Sequence, residues 1–224
     1  MILTLNKIKK GLNRYTETRK IFCIGHNKTG TTSLALLFAK SGYRLAPQRV
    51  GEALTPAWYA GDFKSIIEWV KSTNSQFFQD VPFSYPETWK HLTHHFPNAL
   101  FIHTIRDSDE AWYQSRIRFD KKIIGSDSPG WKDLEEFKTG GLCKGSLARF
   151  RREIMGCTDD PYDESTLKSF YNSYNQEIEE YFENSSLNYL KVNLMDSNAL
   201  HQLNAFVKPI IRFKSLPHKN QSKQ

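Results

Sequence analysis

Apolar residues in this chain gather into short continuous runs, and these alternate with stretches in which they recur every three or four positions. Residues 21–24 (IFCI) form the first run, closed by Gly25, and predict a buried strand. After the segment HNKTG, residues 31–42 place Leu34, Leu37 and Phe38 at helical spacing, with Gly42 as the stop. A helix is predicted over 62–72, where Phe63, Ile66, Ile67 and Val70 share one face. Residues 76–81 read as a strand that stops at Pro82, and 85–96 as a helix with Pro86 in its first turn. The run ALFIHTI at 99–105 predicts a strong strand, and Ser108 is placed to cap a helix reaching about 119. Residues 120–143, rich in Gly, Ser, Asp and Lys, read as a long loop of the kind that serves as a lid or binding segment. Helices near 144–155 and 163–183, a strand over 189–193 and a helix over 197–207 complete the series; a polar, frayed end is expected from Lys214. Alternating strands and helices with no repeat and no linker predict one α/β domain, three-layer α/β/α around a mainly parallel sheet, with its core at about 20–208.

Composition narrows this picture. The 224 residues include 15 Phe, 10 Tyr and 5 Trp, enough apolar surface to exclude a disordered or collagen-like chain. With 31 Lys and Arg against 24 Asp and Glu the net charge is +7, which suits an anionic partner without saying which. The three cysteines, Cys23, Cys143 and Cys157, are widely spaced and form no C-x-x-C pair, so neither a disulfide scaffold nor a zinc knuckle is indicated. No stretch approaches the ~18 apolar residues of a membrane span. The basic start, residues 1–19, lacks a signal-peptide core. It reads as an amphipathic surface helix or, alternatively, as a peripheral membrane contact. The expected compartment is the cytoplasm.

The sharpest chemistry lies between the first strand and helix, at GHNKTGTTS (25–33). Glycines let backbone amides approach an oxyanion, the helix start adds free N–H groups, Thr31, Thr32 and Ser33 add hydroxyls, and Lys28 adds a mobile charge. Together these form a P-loop-like phosphate cradle. A Walker A loop would put lysine directly after Gly30, where Thr31 stands instead. The 99–105 strand also ends in Arg106 rather than in an acidic magnesium ligand. A nucleotide kinase is therefore not spelled out.

The loop KTGTTSL, followed by a strand ending in Arg106 and then by Ser115, resembles the family of PAPS-dependent sulfotransferases, where PAPS is 3′-phosphoadenosine 5′-phosphosulfate. FQDVP (78–82), FPNALFIHTIRD (96–107) and the closing FYNSYNQEIEEYF…YLKVNLMDSNALHQLNAFV are similar to its bacterial-type members, so the likeness covers about residues 20–208. The resemblance implies that Lys28, Thr29, Gly30, Thr31 and Thr32 hold the 5′-phosphosulfate. Lys28 would also steady the departing phosphate. It implies that Arg106 and Ser115 bind the 3′-phosphate, although their nine-residue spacing is one longer than the family's. A surface ion pair is the alternative for Arg106. The R-K-G-x-x-G-D-W-K loop of cytosolic members is missing.

Transfer to a hydroxyl also calls for a general base. Asp80 is the candidate, at the expected C-terminal end of the second strand, where parallel sheets place ligands. Asp80-Val81-Pro82 resembles the His-x-Pro segment of cytosolic sulfotransferases with Asp in the histidine's place. An ordinary Asp, with a pKa of about 3.9, is a weak base; burial would raise it and Lys28 would oppose the rise. The alternative is a carboxylate that caps the next turn or pairs with Lys28. His26 is a rival within the loop, while His103 reads as a core residue. His91 and His95, at i, i+4 spacing without the glutamate of H-E-x-x-H, read as a solvated face; no metal is expected. Lys144, Arg149, Arg151 and Arg152 would reach an anion or form the polar side of their helix. Asn27-Lys28-Thr29 matches a glycosylation sequon by chance, since a glycan there would block the cradle.

The expected function is sulfuryl transfer from PAPS to a hydroxyl of a small-molecule acceptor; a carbohydrate or glycoconjugate is implied by the resemblance and agrees with the aromatic segments near Trp58-Tyr59 and Phe83-Tyr85 and the positive charge. A nucleotide-kinase-like phosphotransferase and a non-catalytic nucleotide- or polyanion-binding module stand as alternatives. A nucleic-acid binder has only net charge behind it, and no nucleic-acid partner is expected.

Overall fold

The computed structural model describes residues 19–207 and 213–217. The expectation of an N-terminal surface helix or membrane contact, and that of fraying beyond 217, therefore lie outside the described residues. Four strands, β1 (Ile21–Cys23), β2 (Phe77–Phe78), β3 (Leu100–Ile105) and β4 (Asn188–Asn193), pair in the order β2-β1-β3-β4, every neighbour parallel. In chain order the helices are α1 (Thr31–Lys40), α2 (Gln48–Ala53), α3 (Thr55–Tyr59), α4 (Phe63–Ser72) and α5 (Thr88–His95). They continue with α6 (Asp109–Ile124), α7 (Trp131–Glu136), α8 (Ser146–Glu153), α9 (Glu164–Glu183) and α10 (Ala199–Phe206).

Successive strand residues point to opposite faces, and both faces are covered, which is why β1 and β3 read as unbroken apolar runs. Ile21, Cys23, Phe77, Leu100 and Ile102 meet Leu34 and Phe38 of α1 and Leu203 of α10. Phe22, Phe78 and Phe101 meet the other helical layer, which includes Ile66 of α4, Trp89 of α5, Trp112 of α6 and Phe182 of α9. The rings of Phe22 and Phe78 lie 5.2 Å apart and those of Phe22 and Phe101 lie 5.6 Å apart, so side chains far apart in sequence lock the register. The α/β architecture with helices on both faces of a parallel sheet is the one the alternation predicts.

Two expectations needed correction, and one stretch had none. The strand expected over 76–81 is only Phe77–Phe78, because Asp80 adopts a left-handed backbone (φ 57°) and turns the chain out of the sheet. Residues 120–143 are not one long loop. Helix α6 runs on to Ile124 with Gly125 in the left-handed cap position, and α7 buries Leu134. Residues 43–61, to which the periodicity assigned no element, hold Leu45, bridged to Phe77, and the short helices α2 and α3.

The strand order positions the site. From β1 the chain crosses to β2 on one side, returns past β1 to β3, and continues to β4 on the other side. The crossovers diverge between β1 and β3, so the loops leaving the C-terminal ends of these two strands flank a crevice.

Candidate functional site

The loop after β1 is fastened to β3 before it reaches α1. A Cβ on Gly25 would stand 2.2 Å from the Thr104 hydroxyl and 2.3 Å from its carbonyl oxygen, so the two strand ends approach this closely only with glycine. The Thr29 hydroxyl donates to the His26 carbonyl at 2.6 Å and meets the Thr104 hydroxyl at 2.6 Å, both inside the protein. Lys28 (φ 77°) and Gly30 (φ 98°) are left-handed, which bends the backbone around the start of α1. Gly30 is the N-cap and supplies no side-chain cap, and the first turn carries no acidic residue. The opening N–H groups of α1 therefore face outward with the positive end of the helix dipole behind them, an arrangement that favours an anion. Thr31 is buried at that helix start and Thr32 is exposed beside it.

Arg106 leaves the end of β3 and bridges the two halves of the crevice. Its backbone N–H donates to the Tyr171 hydroxyl at 3.0 Å, its Nε donates to the Lys28 carbonyl at 2.7 Å, and Nη2 lies 3.4 Å from the Ser115 hydroxyl. Ser108 caps α6 by accepting from the Ala111 N–H, and two turns of helix carry Ser115 back over Arg106. The nine-residue spacing thus still brings the pair together. A groove of about 280 Å³ is lined by Arg106 together with Tyr171, Asn175 and Gln176 of α9 and Lys191 of β4.

Asp80 stands on the opposite side of the loop. Its carboxylate is buried and hydrogen-bonded to the Asn27 side chain, and the Asn27 Oδ1 in turn accepts from the Ser84 hydroxyl at 2.7 Å. Burial, reinforced by the charge of Glu52, pushes the Asp80 carboxyl up to about 6; Lys28, Arg116 and the Asn27 bond hold it from rising further. Lys28 moves the other way, down to about 8, because it is partly buried and lies near Arg116 and Arg106, while Asp120 and Asp80 oppose the fall. Its ammonium rests over the Phe119 ring, 3.6 Å from the centroid. His26, enclosed by Trp112, Phe170 and Tyr174, is lowered to about 3 chiefly by burial and so stays neutral at pH 7.

Sequence reasoning named only Arg151 of a second group of charges and passed over Arg116, Asp120 and Glu52. Arg116 and Arg151 share one carboxylate: Arg116 Nε donates to Asp120 Oδ2 at 3.2 Å and Arg151 Nη2 to the same oxygen at 2.6 Å, with Asp120 wholly inaccessible. Glu52 is also buried and accepts from the Gly141 N–H at 2.6 Å, which fastens the segment after α7 to α2. The i, i+4 spacing of Arg116 and Asp120 is a legible ion-pair signal, lost here because Asp120 fell in the expected loop. Of the basic cluster near α8, only Arg151 turns inward. Arg149 pairs with Glu153 and Arg152 with Glu135 at the surface.

Among the described residues no group of three or more His, Cys, Asp or Glu side chains is placed to hold a metal ion. His91 stacks on Phe63, and His103 is buried between the Tyr189 hydroxyl and Asn175, each at 2.8 Å. No helix of the described residues is long and apolar enough to cross a membrane.

Comparison with protein families gives one result that bears on this crevice. A family model described as a sulfotransferase domain matches residues 20–224. No curated protein matched the chain.

Proposed function

Because this chain belongs to the sulfotransferase family, we propose that it takes a sulfuryl group from PAPS and passes it to a hydroxyl of a small acceptor, with a carbohydrate the favoured class. The observation that carries this reading is the Arg106 bridge. One guanidinium joins the phosphate-type loop, through the Lys28 carbonyl, to Ser115 of α6, so one residue ties together two anion-binding elements. That suits a donor with phosphate groups at both ends of its ribose. In this reading Lys28, Thr29, Gly30, Thr31 and Thr32 wrap the 5′-phosphosulfate, mainly through backbone N–H groups, since the Thr29 hydroxyl is engaged with His26 and Thr104. Arg106 and Ser115 take the 3′-phosphate by charge-assisted hydrogen bonds.

Transfer is in line. The acceptor oxygen attacks sulfur and forms a new O–S bond, while the bond from sulfur to the bridging oxygen breaks. Its electron pair leaves with 3′-phosphoadenosine 5′-phosphate. Asp80 takes the acceptor proton, and a carboxyl raised to about 6 is ionised at pH 7 yet far more basic than an ordinary aspartate. Lys28 swings from Phe119 to the charge building on the bridging oxygen.

Calorimetric titration with 3′-phosphoadenosine 5′-phosphate, beside magnesium-ATP and an Arg106→Ala control, tests the reading. Binding of the bisphosphate that Arg106→Ala weakens about 10- to 100-fold, the value of a lost charged hydrogen bond or two, is the expected result. Preference for magnesium-ATP would point to the kinase-like alternative. Bisphosphate binding with no transfer to any acceptor in a screen of sugars and simple alcohols would leave the non-catalytic one.

A further inference from the structure

We infer that Arg116 donates hydrogen bonds to the non-bridging oxygens of the sulfuryl group in transit. The inference rests on the donor reading above and assigns a catalytic contact to a residue that reading leaves without a role, next to Ser115 on α6.

Helix α6 lies along the loop with one stripe of side chains. Trp112 donates its indole N–H to the Asn27 carbonyl at 2.9 Å, and Phe119 carries the Lys28 ammonium at 3.6 Å. Arg116 is one turn from each, which sets its guanidinium beside loop residues 27 and 28. Ser115, the preceding residue, faces Arg106; a step of about 100° around the helix turns Arg116 away from that side, and Lys28 and Asp80 both feel its charge, which puts it by the space between them. That space separates the cation that steadies the leaving group from the carboxylate that accepts the proton, and the sulfur atom must cross it. The charges agree with this placement. Arg116 is the strongest charged neighbour lowering Lys28, and it also restrains the rise of Asp80.

The side chain is built for an anion. Only 8% of it is exposed, and its Nε is held at 3.2 Å by Asp120, whose own position Arg151 fixes from the far side. With its Nε engaged, the fork of terminal nitrogens is fixed in direction and makes no hydrogen bond among the described residues. Two guanidinium groups share one buried carboxylate, so Asp120 does not neutralise both, and Arg116 keeps charge that it shares between Asp80 and an incoming anion. Asp120 and Arg151 are then positioning residues. As the new O–S bond forms and the old S–O bond breaks, Arg116 makes no covalent bond; it neutralises the oxygens that the sulfur carries across.

The test compares donor and product, which differ only in the sulfuryl group. PAPS and 3′-phosphoadenosine 5′-phosphate are titrated calorimetrically into the wild type, Arg116→Gln and Arg116→Lys, with a thermal melt to verify folding. Arg116→Gln is expected to weaken PAPS about 10- to 100-fold, as loss of a charged fork should. The bisphosphate should change less than ~3-fold, through loss of a nearby charge alone. Arg116→Lys, which keeps the charge and loses the fork, should fall between and serves if the glutamine variant does not fold. Equal losses for both ligands would overturn the inference in favour of a contact with the 5′-phosphate. No loss for either would overturn it in favour of an anionic group on the acceptor, or of a role in the fold. A wild type that binds neither ligand would reject the donor reading itself, before any substitution is compared.

Discussion

Replacing Asp80 with asparagine should stabilise the protein while stopping the reaction, and the stabilisation can be worked from the site. The change is nearly isosteric, the amide oxygen still accepts from Asn27, and asparagine tolerates the left-handed backbone at φ 57° as well as aspartate does. What disappears is a buried charge. The carboxyl has a pKa of about 6 in the folded protein against 3.8 ordinarily, so the native state binds its proton more tightly than the unfolded state does. Stability therefore falls as pH rises from about 4 to about 6, and above that window the charge costs on the order of 3 kcal/mol. Asp80→Asn carries no such cost. Thermal melts of the two proteins at pH 8 should differ by ~5–10 °C in the variant's favour, given the size of the chain. At pH 4.5 the free-energy difference should shrink to about a third, because most of the wild-type carboxyls there are protonated in the folded state. A difference that is the same at both pH values, or a variant that melts lower at pH 8, would refute the claim that burial of charge sets this pKa. In the same variant, once an acceptor is in hand, transfer should fall by ~10²–10⁴, the usual contribution of a general base.

The rate of transfer should follow a bell-shaped pH profile: it rises as Asp80 ionises near pH 6 and declines as Lys28 loses its proton near pH 8. Activity at pH 5 or pH 9 should be about a tenth of the maximum, and a profile flat from pH 5 to 9 would remove both residues from the chemistry. Gly25→Ala should abolish bisphosphate binding and lower the melting temperature, because the added methyl meets backbone atoms of Thr104 at 2.3 and 2.6 Å that cannot move independently. Full binding by that variant, measured by the same calorimetry, would contradict the close approach of β1 and β3.

The sheet and the glycine- and hydroxyl-rich loop after β1 were legible because both are written in local pattern. Buried parallel strands appear as apolar runs, and the loop is a cluster of glycine, hydroxyl and lysine residues bounded by a strand and a helix. Arg106 could be found for the same reason, since it follows immediately on the strongest strand. The pairing of Asp120 with Arg151 could not be found this way. These residues are 31 positions apart, and their polar side chains mark a surface unless tertiary contacts say otherwise. Glu52 was missed on similar grounds, as it sits on a helix of six residues with no amphipathic period to announce it. Asp80 was legible as a residue but not as a conformation: a strand reading placed it in the sheet, whereas its left-handed backbone removes it from the ladder and turns it toward Asn27.

The bond between Thr29 and Thr104 spans 75 residues of sequence, and the close approach of Gly25 to Thr104 spans slightly more. The shape of the loop is therefore not a property of the loop's own segment. Its backbone turns are held in place from β3, and β3 pairs beside β1 only after the whole of β2 and five intervening helices have been synthesised. Closing a loop of that length carries an entropy cost that only the finished sheet offsets. Fragments that end before residue 104 should contain every residue of the GHNKTGTTS segment and still lack the loop shape that β3 fixes.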